Sequence, residues 1–257
     1  MSTTVEFGAL ALSVSMAVAS GLVGCFAVMR RMALAADAMS HIALPGIGLA
    51  LMLRLNPLLG ALGMLLFGAV LIWALQRRSR ISTEAVIGVT FSIALAIGST
   101  ITSGEQLIEA LLGTTGGISG WETAGGIVAS LGVVALVLRL RSALVVSLVS
   151  PEVALTSGVD VARIDLYFML AFALTIALGL RYLGVLLMGS LIIIPAAIAR
   201  RFASSLGSMF LIAVISAVLS TACGTYAAAL AGRQSGPFIV MIAGGLFFMS
   251  LFRRSRV

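Results

Sequence analysis

The chain has 257 residues, of which 61% are hydrophobic and 10% charged, and its mean hydropathy is +1.20. This composition lies far outside that of soluble domains and leaves no segment for a soluble catalytic domain. The net charge of +7 comes from 16 arginines without any lysine, which excludes a Walker A nucleotide site because that site requires a lysine.

Apolar runs of about 20 residues follow one another along the chain and predict an all-α, polytopic integral membrane protein. We predict nine membrane-spanning helices, with eight as the alternative, because two consecutive short runs are separated only by Arg181-Tyr182. Residues 1–257 are therefore expected to form a single transmembrane domain. The predicted spans are residues 9–29, 33–53, 57–76, 84–102, 119–138, 166–180, 183–199, 207–230 and 237–252.

The arginines stand in short clusters between the spans, which indicates membrane topology and not a nucleic-acid partner. Thirteen of the sixteen fall on one predicted side, so we expect the N-terminus outside and the C-terminus in the cytoplasm. Cys25 and Cys223 lie in apolar runs without a partner motif and are predicted to be small packing residues.

The second span contains the polar pair Asp37 and His41, and His41 is the only histidine in the chain. On a helix, residues four apart lie one turn apart on the same face, so the two side chains can converge on one point. A carboxylate inside a membrane costs about 2.5–3.5 kcal/mol on insertion scales, which marks it as a functional candidate. From the residues alone, a helix-joining hydrogen bond, a proton relay and a metal site all remain open.

Two further features bear on a metal site. Pro45 lacks an N–H, so the carbonyl of His41 is left free for water or an ion. Glu84, at the start of the fourth span, is a candidate third ligand, although the helix dipole or the nearby arginines also account for a carboxylate there. A homodimer would alternatively bring two aspartates and two histidines together around Zn²⁺ or Mn²⁺.

Two connections between spans are distinctive. The glycine-rich outer segment 103–121, with Glu105, Glu109 and the neighbouring Glu122, is either a docking or gating loop or an ordinary solvated loop. The inner segment 139–165 is the longest and most charged connection, and Ser150, Pro151 and Gly158 predict a short capped helix within it.

Several of these stretches resemble the permease subunits of ABC-type manganese/zinc importers. The run Arg30 to Gly46 resembles the family signature of two basic residues followed by G-D-x-x-S/A-H-x-x-L-P-G, although Ala36 replaces the glycine and leaves open how closely a neighbouring helix packs there. Further similar stretches, in chain order, are Thr83 to Gly88, Ala154 to Val159, Gly184 to Arg200 and Ser235 to Pro237.

The resemblance implies a multi-pass, homodimeric permease of a bacterial or archaeal cytoplasmic membrane, surrounded by lipid. Its partners would be separate cytoplasmic ATPase subunits and an extracytoplasmic metal-binding lipoprotein, so the chain itself would be no enzyme. Segment 147–165 would dock into the ATPase. The coupling residues that the resemblance suggests are Glu152, Ala154, Gly158, Val159 and Asp160.

The metal positions of the family match Asp37 and His41, with the acidic Glu84 aligned to a family aspartate. No cofactor would be permanently bound, and the metal would be cargo: Mn²⁺ or Zn²⁺, with Fe²⁺ as a further option. The S-H-x-x-L-P-G form looks more like the manganese/iron branch. The alternatives are a cobalamin/siderophore-type ABC permease, which needs no histidine, and an intramembrane metalloenzyme.

Overall fold

The computed structural model describes residues 3–79, 81–101, 120–183 and 185–252, and the side chains of all of these except 3–7, 9 and 181–187. These residues form ten α-helices and no strand, which confirms the all-α prediction. The helices are α1 (Thr3–Met29), α2 (Ala33–Met52), α3 (Pro57–Arg78), α4 (Thr83–Ile101), α5 (Gly120–Val149), α6 (Pro151–Thr156), α7 (Val161–Leu183), α8 (Val185–Phe202), α9 (Leu206–Ala231) and α10 (Ser235–Phe252).

Nine of these ten helices are long, and each corresponds to one predicted span. Eight of them are long and apolar enough to cross a membrane, so the described chain is that of a multi-pass membrane protein. The uncertain pair of short spans corresponds to two helices, α7 and α8. They form a hairpin in which Gly179 contacts the side chain of Met188.

Contacts between helix ends show that successive long helices run in alternating directions. At one end of the bundle, Arg30 after α1 pairs with Asp165 near the start of α7, and Arg200 near the end of α8 donates a 3.3 Å hydrogen bond to the Val28 carbonyl. At the same end, Trp73 of α3 donates a 2.9 Å bond to the Ala162 carbonyl. This is the end that the arginine distribution predicts to be cytoplasmic.

The centre of the bundle is α1, which packs against α5, α7, α8 and α9. The fully buried Phe26 contacts the rings of Phe168 and Phe210, at centroid distances of 6.3 and 5.6 Å. Cys25 beside it is buried, as predicted for a packing residue, whereas Cys223 is exposed on α9. The packing prediction is therefore wrong for Cys223, because an apolar sequence does not tell an exposed position from a buried one.

Close backbone contacts hold α2 between α3, α4 and α8. Gly46 of α2 and Gly60 of α3 face each other so closely that a Cβ on either would meet the other's carbonyl oxygen. A Cβ on Gly98 of α4 would lie 3.0 Å from Leu44 Cβ. Small residues permit such approaches, and dispersion contacts are a main source of helix association in lipid.

The inner connection is shorter than predicted. Helix α5 continues to Val149, so the connection begins at residue 150 and not at 139. Arg139 and Arg141 are exposed on this helix. The physical reason is that an arginine marks where a helix reaches polar surroundings and does not end the helix, for which it is a good former.

Some predictions fall outside the described residues. These are the outer segment with Glu105 and Glu109, and the side chain of Arg181. Glu122, at the edge of that segment, lies in the first turn of α5.

The α2–α3 crossing is testable with two glycines of one helix. We expect Gly60→Val to destabilise the protein by about 1–3 kcal/mol, because the new atoms would overlap the Gly46 carbonyl and force α2 and α3 apart. Gly63→Ala, in the same helix, is the control, since a Cβ there meets no atom within 4 Å. Thermal unfolding in detergent measures both. Equal unfolding temperatures for the two variants would contradict the close crossing.

Candidate functional site

Asp37 and His41 lie one turn apart on α2, as the sequence predicts. Asp37 is exposed and His41 is partly buried, whereas the residues between them, such as Met39 and Ser40, are fully buried. The Ser40 hydroxyl donates a 2.8 Å hydrogen bond to the Ala36 carbonyl, so its polar group is satisfied within the helix. The pair therefore occupies the one face of this part of α2 that the described chain leaves open.

The ring of His41 is held by packing. Its Nδ1 atom is buried and has no hydrogen-bond partner in the described part of the chain, so Nδ1 makes no bond to Asp37. The ring meets Phe91 of α4 edge-on, with centroids 5.5 Å apart and planes at 62°. With Nδ1 enclosed, a cation can reach the imidazole only through Nε2.

Helix α8 fixes the backbone of Asp37. A Cβ on Gly189 would lie 3.0 Å from Asp37 N and 3.1 Å from Asp37 Cα, so only a glycine permits this approach without a shift. Ala36 is fully buried at the same contact. This settles how closely a helix packs beside Ala36, because the glycine that allows close packing comes from α8 and not from α2.

Glu84 is exposed in the first turn of α4, where the Ser82 hydroxyl accepts a 3.4 Å hydrogen bond from the Ala85 N–H. Helices α2 and α4 run parallel, since His41 meets Phe91 and Pro45, further along α2, meets Gly98. Glu84 precedes Phe91 by about 10 Å of helix rise, and Asp37 precedes His41 by about 6 Å. Glu84 therefore lies about one turn beyond Asp37 along the axis.

The described residues contain no group of three or more histidine, cysteine or acidic side chains placed to hold one metal ion. The structure thus brings Asp37 and His41 to one face and does not join Glu84 to them. Pro45 lies inside α2, where it cannot donate to the His41 carbonyl. That carbonyl adds one oxygen near the pair.

The short helix of the inner connection forms as predicted. The Ser150 hydroxyl accepts a bond from the Val153 N–H at the start of α6, Pro151 is its first residue, and Glu152 lies in its first turn. Gly158 has φ +76°, and the Val159 N–H bonds the Ala154 carbonyl at 2.9 Å, which closes the helix end.

The predicted coupling residues share the surface of this connection. Ala154 is buried, whereas Glu152, Gly158 and Asp160 are at the surface and the apolar side chains of Val153 and Leu155 are exposed. Val159, which bonds back to the helix, is partly buried. The connection therefore presents a mixed acidic and apolar face at the predicted cytoplasmic end.

Two residues of the site have no signal in the sequence that would have identified them. Phe91 lies in an ordinary apolar run, 50 positions from His41. Gly189 lies about 150 positions from the pair, in the family-like stretch Gly184 to Arg200, where nothing distinguishes it from the other small residues. Their roles follow from the rotation and register of α4 and α8 against α2. In both cases the contact, and not the residue type, carries the information.

Comparison with known proteins gives consistent matches along the chain. The profile of the ABC 3 transport family matches residues 3–254. The chain is 31% identical to the high-affinity zinc uptake system membrane protein ZnuB of Haemophilus influenzae, over 98% of each chain. It is 29% identical to the manganese transport system membrane protein MntC of Halalkalibacterium halodurans, over 95% of this chain and 85% of that protein.

A solved structure shares the fold. PsaBC from Streptococcus pneumoniae, in complex with a Fab, matches with a TM-score of 0.83 and 26% identity, over 96% of this chain and 91% of that one. The sequence motifs and these comparisons agree, so the resemblance to ABC-type manganese/zinc permeases is confirmed. The chain belongs to the ABC 3 transport family.

Proposed function

We propose that the chain is the permease subunit of an ATP-driven importer of a divalent transition metal, Mn²⁺ or Zn²⁺. The observation that carries this proposal is the Asp37–His41 pair on the open face of α2. A carboxylate and an imidazole nitrogen are ligands that both ions accept. The names of the zinc and manganese relatives support the same class of cargo.

A homodimer completes the site in this proposal. Asp37 is exposed on one protomer, and an aspartate facing hydrocarbon costs about 2.5–3.5 kcal/mol, so another protein surface or water must cover it. A two-fold axis beside α2 would bring two aspartates and two histidines together, with Glu84 about one turn away along the helix axis. The pathway then runs between two copies of the chain.

The energy comes from partner chains. We infer that α6 docks into a cytoplasmic ATPase subunit, which the exposed side chains of Glu152, Val153 and Leu155 suit. An extracytoplasmic binding protein delivers the metal at the other side of the cytoplasmic membrane, opposite the ATPase. The arginine distribution supports this orientation, with the C-terminus in the cytoplasm.

The affinity order of the metals and the sequence around His41 both bear on which ion is transported. Zinc binds a nitrogen and oxygen site more tightly than manganese in the general affinity order, so affinity alone does not select manganese. The S-H-x-x-L-P-G form around His41 favours manganese by resemblance. We therefore propose manganese as the preferred cargo, and competition between radiolabelled Mn²⁺ and unlabelled Zn²⁺ in uptake assays tests it.

Removal of either ligand tests the site. We expect Asp37→Ala and His41→Ala to lower metal affinity at least about 100-fold and to abolish uptake, because each removes a ligand from the metal. The assembled transporter should be recovered at wild-type yield. Ser220→Ala in α9 is the control and should transport normally, because the Ser220 hydroxyl bonds only the Ser216 carbonyl of its own helix. Unchanged uptake of radiolabelled Mn²⁺ and Zn²⁺ in both ligand variants would refute the site.

The contact of α8 with Asp37 is tested by adding one methyl group. We expect Gly189→Ala to raise the metal concentration needed for half-maximal uptake, since its Cβ must displace the Asp37 backbone by a few tenths of an ångström. Gly132→Ala in α5, where a Cβ meets nothing within 4 Å, should leave uptake unchanged. The same half-maximal concentration in both variants would show that this contact does not position Asp37.

Gly158 tests the coupling segment through backbone conformation alone. A Cβ there meets no atom within 4 Å, but φ is +76°. Gly158→Val should therefore strain the end of α6 by about 1–2 kcal/mol or more and separate ATP hydrolysis from metal uptake. Gly158→Asn is the control, because asparagine tolerates this conformation. Full uptake by the valine variant would remove this segment from the coupling mechanism.

A further inference from the structure

A largely buried arginine joins the turn between α1 and α2 to both ends of the coupling segment. Arg30 Nη1 donates a 2.7 Å hydrogen bond to Asp165 Oδ1, and Nη2 donates a 3.4 Å bond to Ser147 Oγ. The guanidinium carbon lies 4.7 Å from the centroid of the Phe168 ring. Ser147 is the first residue of the segment 147–165, near the end of α5, and Asp165 is its last, near the start of α7. The Arg30 side chain thus contacts both ends of the segment.

The connection from Arg30 to the metal helix is short and fixed. The Met32 N–H bonds the Ala27 carbonyl at 2.8 Å, and Arg31 adopts φ 60°, which closes α1 in a tight turn. Helix α2 begins at residue 33, and Asp37 lies in its second turn. Only Arg31 and Met32 therefore separate Arg30 from the start of the helix that carries Asp37.

This contact differs from the ion pair between Asp160 and Arg163. Asp160 and Arg163 are three residues apart, and their side chains are 51% and 76% exposed, so that pair is local and contributes little. The Arg30 side chain is 12% exposed, and Asp165 lies 135 positions away. The Asp165 side chain is 36% exposed, so it is the removal of Asp165 that leaves a poorly solvated charge, on Arg30.

A second contact supports the same direction of transmission. Trp73 of α3 donates to the Ala162 carbonyl at the start of α7, and α3 in turn crosses α2 at Gly60 and Gly46. The start of α7 is thus connected to α2 through α3 as well as through Arg30. Both connections lead from the coupling segment to the helix that carries the metal ligands.

We propose that Arg30, held by Asp165, Ser147 and Phe168, is the positioning residue through which the coupling segment moves α2 and its Asp37–His41 pair. The inference rests on the proposed function, because it assigns to Arg30 the link between an ATPase partner and the metal site. Arg30 neither binds the metal nor touches the ATPase in this mechanism. It converts a shift of α6 and α7 into a shift of α2.

The experiment measures metal ions imported per ATP hydrolysed. The permease is reconstituted in liposomes with its ATPase subunits and binding protein, with radiolabelled Mn²⁺ or Zn²⁺ outside. Arg30→Gln and Asp165→Asn should each lower the ratio about tenfold while ATP hydrolysis continues. The double variant should be no worse than either single variant, since both remove the same contact. Arg30→Lys, which keeps the charge beside Asp165, should recover part of the ratio.

The controls separate the possible failures. Arg31→Gln removes the same charge from an exposed neighbour and should leave the ratio unchanged. If Arg30 has a purely structural role, its variants should reduce recovery of the assembled transporter and lower metal uptake and ATP hydrolysis together. The number of metal ions imported per ATP would then stay constant, and this result would overturn the proposal for Arg30. An unchanged ratio with normal activity would overturn it as well. Absence of metal uptake by the wild-type complex would instead refute the proposed function, and the role of Arg30 with it.

Discussion

The close approach of other helix backbones to α2 is the constraint on which the site depends. Gly60, Gly98 and Gly189 belong to three different helices, and each contacts α2 where a larger side chain would overlap it or force a shift. In lipid, apolar side chains gain little from leaving the solvent, so this dispersion contact must replace the hydrophobic driving force. Three sides of α2 are thereby closed, and the fourth carries Asp37 and His41.

The sequence predicts the long helices well because hydropathy and arginine placement follow directly from the requirements of a membrane. A membrane requires spans of about 20 apolar residues, and arginines stay at its edges, so helix number and alternation follow. The roles of Gly158 and Ser150 are also predictable from the sequence, because a left-handed backbone conformation and a helix N-cap depend on local chemistry. The end of α5 is not predictable in this way, since exposed arginines allow the helix to continue to Val149.

Helix rotation and register are what the sequence does not contain. In a soluble bundle, polar residues mark the outer face, but here both the lipid-facing and the buried faces are apolar. Nothing in the sequence therefore distinguishes the buried Cys25 from the exposed Cys223, or places Gly189 against Asp37. Asp37 and His41 could be predicted to lie together because they are polar and share one helix. The Arg30–Asp165 pair could not be predicted, because it joins residues 135 positions apart.

Under the proposed function, the surroundings of His41 suit a site that must release its ion. Metal-ligating histidines almost always donate their second N–H to an acceptor, and loss of that acceptor weakens metal binding about 10–100-fold. In the described chain, His41 Nδ1 has no such acceptor, and the edge of Phe91 orients the ring instead. Under the proposed function, packing positions the ring without a hydrogen-bond acceptor at Nδ1. In that proposal, two copies of the chain together would capture the cation, and a small movement of α2 that separates their ligands would release it.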